Sequence, residues 1–338
     1  MKEFFSGKTI LVTGATGSIG SQILRKLVDI GPKSIIAFSR DDSKQFYLQQ
    51  ELREHPNIQY IIGDVRDLHA VQRVFDKHID VVFHAAALKH VEISEQNPAE
   101  AVKTNVLGTQ NLVDISLRSD VGTFITISTD KAVNPNCTMG ATKYIAERIT
   151  LAANLRSRGG AFSAVRFGNV LGTRGSVLPT FLRQIKNGKP IVITEREVTR
   201  FVITIDQAVD LILEATRLAS GGEVFVLKMP TMNLGDLVDV VVNKISPRLG
   251  LSAGEVQVEV IGLKAGEKLH EDLVSREETR RMWESDKLYV VYSDMVEPKP
   301  PEGFERSQAK EYSSHSTERL PQEEIESVLL NVMETMED

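Results

Sequence analysis

The chain of 338 residues contains one cysteine and one tryptophan, and aromatic residues make up only 6% of it. A single thiol, Cys137, can form neither an internal disulfide nor a zinc cluster. No metal site is expected, and a reducing cytoplasm is the setting that fits. No His–Cys pattern accompanies Cys137, so a nucleophilic role has no partner in the sequence. Long apolar runs are also missing: none reaches the roughly 18 residues that mark a membrane-spanning helix. The opening MKEFFSGKTILVTG runs straight into a strand without the apolar stretch of a signal peptide. Excess positive charge is absent too. A net charge of -6 argues against general nucleic-acid binding, while leaving room for a local basic pocket that takes a phosphorylated small molecule. Hydrophobic content of 41% and charged content of 25% are ordinary for a globular protein long enough for one large or two modest domains.

What is present is an alternation of short apolar strands with helical runs. Thr9 to Val12 reads as a buried parallel strand. Thr13-Gly14-Ala15-Thr16-Gly17-Ser18-Ile19-Gly20 follows, and then Ile19, Ile23, Leu24, Leu27 and Val28 repeat at helical spacing. Strand, glycine-rich turn and helix in that order is the setting a dinucleotide fingerprint requires. Gly14 permits the tight turn, Gly17 lets the backbone approach a pyrophosphate, and Gly20 lets the helix pack on the strand. The helix N-terminus, opened by Thr16, Ser18 and Ile19, offers free N–H groups to the phosphates.

A second strand, Ser34 to Phe38, ends at Ser39-Arg40-Asp41-Asp42. An acidic residue here would accept from a ribose 2′-OH and select NAD. Arg40 comes first and suits a 2′-phosphate, with Lys44 to assist, so NADP is expected, while Asp41 keeps NAD as the alternative. The third strand, Tyr60 to Ile62, ends at Gly63-Asp64-Val65-Arg66. Asp64 reads either as a contact to the adenine amino group or as a cap for the helix around Leu68 to Phe75. The fourth, Asp80 to Phe83, ends at His84-Ala85-Ala86-Ala87, where small residues let the backbone lie close to a cofactor. His84 reads as a packed polar side chain. Lys89 and His90 could reach an anion. Ala99 to Leu117 reads as a long helix carrying Lys103, Thr104 and Asn105 near the sheet.

A fifth strand, Thr123 to Ser128, runs into Thr129-Asp130-Lys131 and a turn, Ala132-Val133-Asn134-Pro135, before a helix opening near Met139. A hydroxyl, a carboxylate and an ammonium thus share the C-terminal edge of a buried strand, which is where ligands bind in open α/β sheets. Met139 and Lys143, four apart, share one helix face. A bland alternative for Asp130 and Lys131 is an ion pair within the turn. Ala161 to Phe167 is a sixth strand. The fold expected is α/β: a Rossmann-type doubly wound parallel sheet over residues 1–170, joined by chain returning from the C-terminal part. A smaller α/β substrate domain is expected over 171–297, followed by a C-terminal tail over 298–338 whose acidic stretch, from Glu323 on, reads as a solvated helix.

At Thr13 to Gly20 and Met139 to Lys143 the chain resembles the extended short-chain dehydrogenase/reductases. Phe38 to Asp41, His84 to Val91 and Lys103-Thr104-Asn105 bring the likeness closer. Ser128 to Ala132, Met139 to Lys143, Arg166 to Val170, Arg174 to Val177 and Gly266 to Leu269 make it similar to the UDP-N-acetylglucosamine 4,6-dehydratases of capsule, O-antigen and protein-glycan synthesis. One departure matters. The wider family places a tyrosine four residues before the lysine as base on the sugar hydroxyl; here that residue is Met139, as in a subset of these dehydratases. Tyr144 lies on another face of the helix.

The resemblance implies a reaction. C4 of the sugar is oxidised and hydride passes to NADP⁺. The ketone acidifies the C5 hydrogen, a base removes it, the C6 hydroxyl leaves as water, and hydride returns to C6. It assigns Asp130 to the C6 oxygen and Lys131 to C5, provided the lysine is deprotonated. Asp130 also takes the C4 hydroxyl proton, Thr129 orients that oxygen, and Lys143 holds the nicotinamide ribose. Asn169, Arg174, Val177, Thr199, Arg200, Glu267, Lys268 and Lys89 are implied contacts to the UDP-sugar. Ala85, Ala86, Ala87, Val65 and Asn105 join the cofactor set. A homo-oligomer, dimer or hexamer, is also implied. The rival readings are a UDP-N-acetylhexosamine 4-epimerase, which needs the ketone but no C5 base, and a non-catalytic NADP-binding regulatory protein, which Met139 would suit.

Overall fold

The computed structural model describes residues 1–173 and 175–335, so Arg174 lies outside the described residues. The six strands read from sequence form β1 (Thr9–Thr13), β2 (Ser34–Ser39), β3 (Ile58–Ile62), β4 (Val81–His84), β5 (Thr123–Ile127) and β6 (Ala161–Arg166). They lie parallel in the order β3-β2-β1-β4-β5-β6. The order reverses between β1 and β4, and the register places Thr13 opposite both Phe38 and His84. Strand ends therefore align into one edge with a crevice at the switch point.

Side-chain alternation explains why both faces are covered. Ile10, Val12, Ile35, Ala37, Phe83 and Ile125 belong to one core with Ile23, Leu24 and Leu27 of the Ser18–Ile30 helix. Leu11, Ile36, Phe38, Val82 and Phe124 point the other way, to Val71 and Val74 of the Leu68–Val74 helix and to Leu112 and Val113 of the Gly108–Arg118 helix. Successive residues of a strand face opposite sides, so a sheet buried on both sides needs unbroken apolar runs.

The sheet does not end at β6. Glu223–Leu227 adds parallel to it, and Leu288–Tyr292, Met282–Glu284 and Glu305–Arg306 follow antiparallel. Strands from the 171–297 stretch and from beyond it are thus part of the central sheet. A third core lies apart, built on Leu178, Phe181, Leu237, Val238, Val241 and Ile245. The Gln322–Thr335 helix packs there through Ile325, Leu329 and Val332, all buried. The tail is therefore not a solvated helix. Spacing of four and three puts Ile325, Leu329 and Val332 on one stripe, and acidic residues such as Glu323, Glu324 and Glu326 lie among the remainder.

Two further differences are local. The helix expected from Ala99 to Leu117 widens into a π-helical stretch over Val102–Leu107, which contains Lys103, Thr104 and Asn105. π-bulges of this kind are frequent at functional sites. Asp64 does not cap the Leu68–Val74 helix; Asp67 does, accepting from the amides of His69 and Ala70. Among the described residues no helix is long and apolar enough to cross a membrane.

Candidate active site

The glycine turn after β1 shows what its residues are for. Gly14 has φ +66°, and a Cβ there would lie 2.7 Å from Ala86 N and 2.8 Å from Ala85 C. The β4 tip has been let in against the turn. A Cβ at Gly20 would collide with the Gly14 carbonyl, so Gly20 is what allows the helix to close on the turn. Gly17 is the N-cap of the Ser18–Ile30 helix and gives it no side-chain cap. Gly17 N donates to the Gly14 carbonyl and Ser21 N to the Gly17 carbonyl, so the N–H groups of Ser18, Ile19 and Gly20 are left without intrahelical partners at the crevice end, an arrangement suited to a diphosphate.

In front of this turn is a cavity of about 370 Å³. Gly14, Thr16, Gly17 and Ser18 line its floor, Ser39, Arg40, Asp41 and Lys44 one end, and Asp64 and Val65 the flank. Ala85, Ala86, Ala87 and Lys89 close the other side. Ile19 and Gly20 sit behind the turn, and Ile19 packs on the core. Asp41 is committed to its helix: its carboxylate caps Lys44 N at 3.0 Å and pairs with Lys44 Nζ at 2.7 Å. Arg40 is exposed at the β2 tip and lies 3.6 Å from Asp64, whose carboxylate also binds Arg66 at 2.7 Å. Burial alone would raise the Asp64 pKa, but the hydrogen bonds and charge of Arg66, with Arg40, hold it below the usual carboxylate range. The residues present thus fit a dinucleotide: a turn cleared of side chains, an uncapped helix end, and a cationic side chain at the ribose end.

Asn105 does not line the cavity but braces its wall. Its Oδ1 accepts from Leu88 N at 2.8 Å, and its Nδ2 donates to Leu88 O at 3.0 Å and to Thr142 Oγ1 at 2.9 Å. His84 is fully packed between Thr13 and Thr109, at 2.8 Å from each hydroxyl. Burial, with the charge of Lys143, pushes its pKa down to about 3, so it is neutral. That matches its reading as a packed polar side chain.

Beyond the cavity, β5 delivers Thr129 and a single 3₁₀ turn, Asp130–Ala132. Asp130 is buried, and its Oδ1 accepts from Thr129 Oγ1 at 2.7 Å and from Lys131 N at 2.9 Å. Lys131 Nζ lies 3.1 Å from Asp130 Oδ1 and 3.4 Å from Glu271 Oε1. The ion pair of the turn is therefore present, and it is a triad rather than a pair. Burial pulls the Lys131 pKa down, but Asp130 and Glu271 overcome it, and the ammonium is held above the usual lysine range. Glu271 goes the opposite way to most carboxylates: burial raises its pKa against the charge of Lys131.

Met139 and Lys143 lie on the buried face of the Thr138–Ala152 helix, capped by Cys137, whose Sγ accepts from Gly140 N. Lys143 donates to the carbonyl of Ile127, the last residue of β5. Burial lowers its pKa to about 8, against the charge of Glu147 one turn on. Tyr144 is largely exposed, on another face.

The expected sugar-nucleotide contacts divide. Arg200 is half-buried: its Nη2 donates to Glu267 at 3.0 Å and its Nη1 to the carbonyls of Thr199 and Leu269. Lys268 reaches the carbonyl of Val133 at 2.8 Å, in the turn behind Lys131. These three residues therefore stand beside the charged triad. Thr199 is completely buried, with its hydroxyl 2.8 Å from His270 Nδ1 and from Ser314 Oγ. Asn169 is exposed and Val177 partly so. Sequence reading passed over Glu271 and Ser314. Neither belongs to a spacing pattern, and only the fold brings them to Lys131 and Thr199.

Fold, glycine turn and lysine-bearing helix together define an extended short-chain dehydrogenase/reductase. Residues 10–293 match the family described as "Polysaccharide biosynthesis protein", and the chain belongs to it. A Methanocaldococcus jannaschii protein named "Uncharacterized membrane protein" is 45% identical over 98% of both chains. A Campylobacter jejuni protein named "UDP-N-acetylglucosamine 4,6-dehydratase (inverting)" is 36% identical over 97% of this chain and 98% of its own. A Rickettsia bellii protein named "UDP-glucose 4-epimerase" is 36% identical over 97% of each. The X-ray structure of Pen from Bacillus thuringiensis superposes with a TM-score of 0.90 at 38% identity, over 98% of this chain and 99% of that one.

Proposed function

We propose that the chain is a nicotinamide-dependent nucleotide-sugar 4,6-dehydratase that acts on UDP-N-acetylglucosamine and uses NADP. Support for the nucleotide sugar comes from the names of its relatives, dehydratase and epimerase alike. The observation that carries dehydration over epimerisation is the triad of Asp130, Lys131 and Glu271 at the β5 edge, beside an inert Met139. Epimerisation needs only one proton moved on and off the C4 oxygen. Dehydration needs in addition a group for C5 and a group for the departing C6 oxygen. The β5 edge offers a carboxylate and an ammonium where an epimerase needs neither.

Gly14, Gly17 and the Ser18–Ile30 helix end would hold the diphosphate, and Arg40 a 2′-phosphate. The nicotinamide, when bound, supplies hydride transfer with the sugar. Asp130 takes the C4 hydroxyl proton, with Thr129 orienting that oxygen, and passes it to the C6 oxygen as it leaves in water. Lys131, as the free amine, takes the C5 proton and returns one of its exchangeable protons to that carbon. Lys143 holds the nicotinamide ribose. Arg200, Glu267, Lys268 and Lys89 serve the UDP moiety, together with Asn169, Arg174 and Val177. The apolar side chains of Leu107, Tyr144 and Ile145, exposed on neighbouring helices, support a homo-oligomer, and the lone thiol a cytoplasmic setting.

Incubation with UDP-N-acetylglucosamine in heavy water tests the proposal. The expected product has lost one water and carries deuterium at C5. A product of unchanged mass would make the chain an epimerase.

A further inference from the structure

Glu271 is the one carboxylate of the cluster to which the reaction above gives no task, and its surroundings are unusual. It is 98% buried by its 2% exposure, and its Oε2 has no hydrogen-bond partner among the described residues. Its Oε1 lies 3.4 Å from Lys131 Nζ. Its backbone is clamped: Glu271 N donates to Ser314 Oγ at 2.9 Å, and Ser314 N donates to Glu271 O at 2.8 Å. Ser314 Oγ is in turn bonded to Thr199, so two separate segments fix where the carboxylate stands. A buried carboxylate oxygen left without a donor is destabilising. Such a group is retained where it has a use, or where it carries a proton.

The chemistry poses a matching problem. Lys131 must be a free amine to take the C5 proton, yet Asp130 and Glu271 together keep it an ammonium. Its proton has to go somewhere before C5 is touched. Asp130 is unavailable, because it receives the C4 hydroxyl proton and needs its own bonds to Thr129 and Lys131 N. The other charged groups facing the pair, Arg200 and Lys268, are cations and cannot accept a proton.

We infer that Glu271 is the proton partner of Lys131, taking the ammonium proton onto its carboxylate so that the amine is free for C5. This rests on the dehydratase reading given above. In atoms, one N–H bond of Lys131 breaks, one O–H bond of Glu271 forms, and the net charge of the pair stays zero. The amine then takes the C5 proton, becomes an ammonium again, and delivers one of its solvent-exchangeable protons to C5 once C6 has been reduced. Removing water on substrate binding favours the neutral pair, since burial penalises both charges of the ionic one. The raised pKa of the Glu271 carboxyl has the same sense. Glu271 touches neither the reacting carbon nor the sugar in this scheme; it acts through Lys131 and is a positioning residue for a proton.

The test is Glu271→Gln in the full-length holoenzyme, with Glu271→Asp as the companion. Deuterium entry at C5 of UDP-N-acetylglucosamine is followed between about pH 6.5 and 9. Reduced nicotinamide formed on mixing with substrate is followed by its absorbance. Wild type is expected to exchange at a rate that is flat with pH. Glu271→Gln is expected to exchange about 100-fold more slowly at pH 7 and to recover by roughly tenfold per pH unit, because Lys131 must now lose its proton to bulk water. Reduced nicotinamide should still form in that variant, and Glu271→Asp should restore most of the exchange rate. A uniform loss at every pH would make Glu271 structural and overturn the inference, as would unchanged exchange. If Glu271→Gln does not fold, Glu271→Asp exchange that is flat with pH and close to the wild-type rate supports the inference, and exchange far below the wild-type rate at every pH overturns it. If wild type itself neither reduces the nicotinamide nor exchanges C5, the dehydratase reading fails first.

Discussion

The carbonyl oxygen of Lys131 occupies the space that a side chain on Gly140 would need. The 3₁₀ turn with the charged triad and the helix with Met139 and Lys143 are pressed together at this one point. Alanine at 140 would gain about 1 kcal/mol of helix propensity, but its methyl meets backbone that cannot swing away, an overpacking cost of roughly 1–3 kcal/mol. Overpacking should win. Gly140→Ala is expected to lower the denaturation midpoint and to cut turnover at least tenfold by displacing Lys131. A variant as stable and as active as the parent would show that the turn and helix are not tightly docked.

Lys143 carries a pH signature. Its pKa in the folded chain, about 8, is below the unfolded value, so the unfolded chain binds this proton more tightly. Stability is therefore lost as pH falls from about 10.5 to about 8 and stays lost below that, a penalty of about 3 kcal/mol. Lys143→Met removes the penalty while leaving the Ile127 carbonyl without its donor, at a cost of about 1–3 kcal/mol. Relative to wild type, the variant should look more stable at pH 7 than at pH 10.5, and it should be inactive at both. Urea titrations at the two pH values decide this. An identical difference at both would mean that the Lys143 pKa is not lowered in the folded protein.

Arg40 and Lys44 are the cations at one end of the cavity, and Asp41 is occupied by Lys44 and its own helix. Arg40→Ala is expected to weaken NADP binding by about tenfold and to leave NAD within twofold, in line with the loss of one charge-assisted phosphate contact. Fluorescence titration with both reduced cofactors measures it. Equal loss for both would remove Arg40 from cofactor choice.

Much of this was legible in the chain itself. The six parallel strands and the glycine turn follow from local rules: apolar runs of strand length, and positions where only glycine fits. The cluster at Asp130 and Lys131 was visible because strand ends in such sheets gather ligands. Glu271 was not visible. It lies far from Lys131 in sequence and joins it only because Thr199–Ile203 and Asp272–Val274 are brought together around Ser314. The tail helix was misread for a different reason. Its buried residues Ile325, Leu329 and Val332 are outnumbered by charged neighbours, so composition concealed a regular apolar stripe. The fate of Thr199 was equally hidden, since no local signal separates a threonine that faces a ligand from one sealed between two other side chains.

The clasp of Ser314 on Glu271 also sets an order of events during synthesis. Domains fold as they leave the ribosome, N-terminal portion first. The glycine turn and β1 to β6 emerge long before residue 314, so every residue lining the cavity in front of that turn is made while nothing yet holds Glu271 in place. Translation thus delivers the last fastening of the charged cluster near its close, long after the residues of the glycine turn have been made.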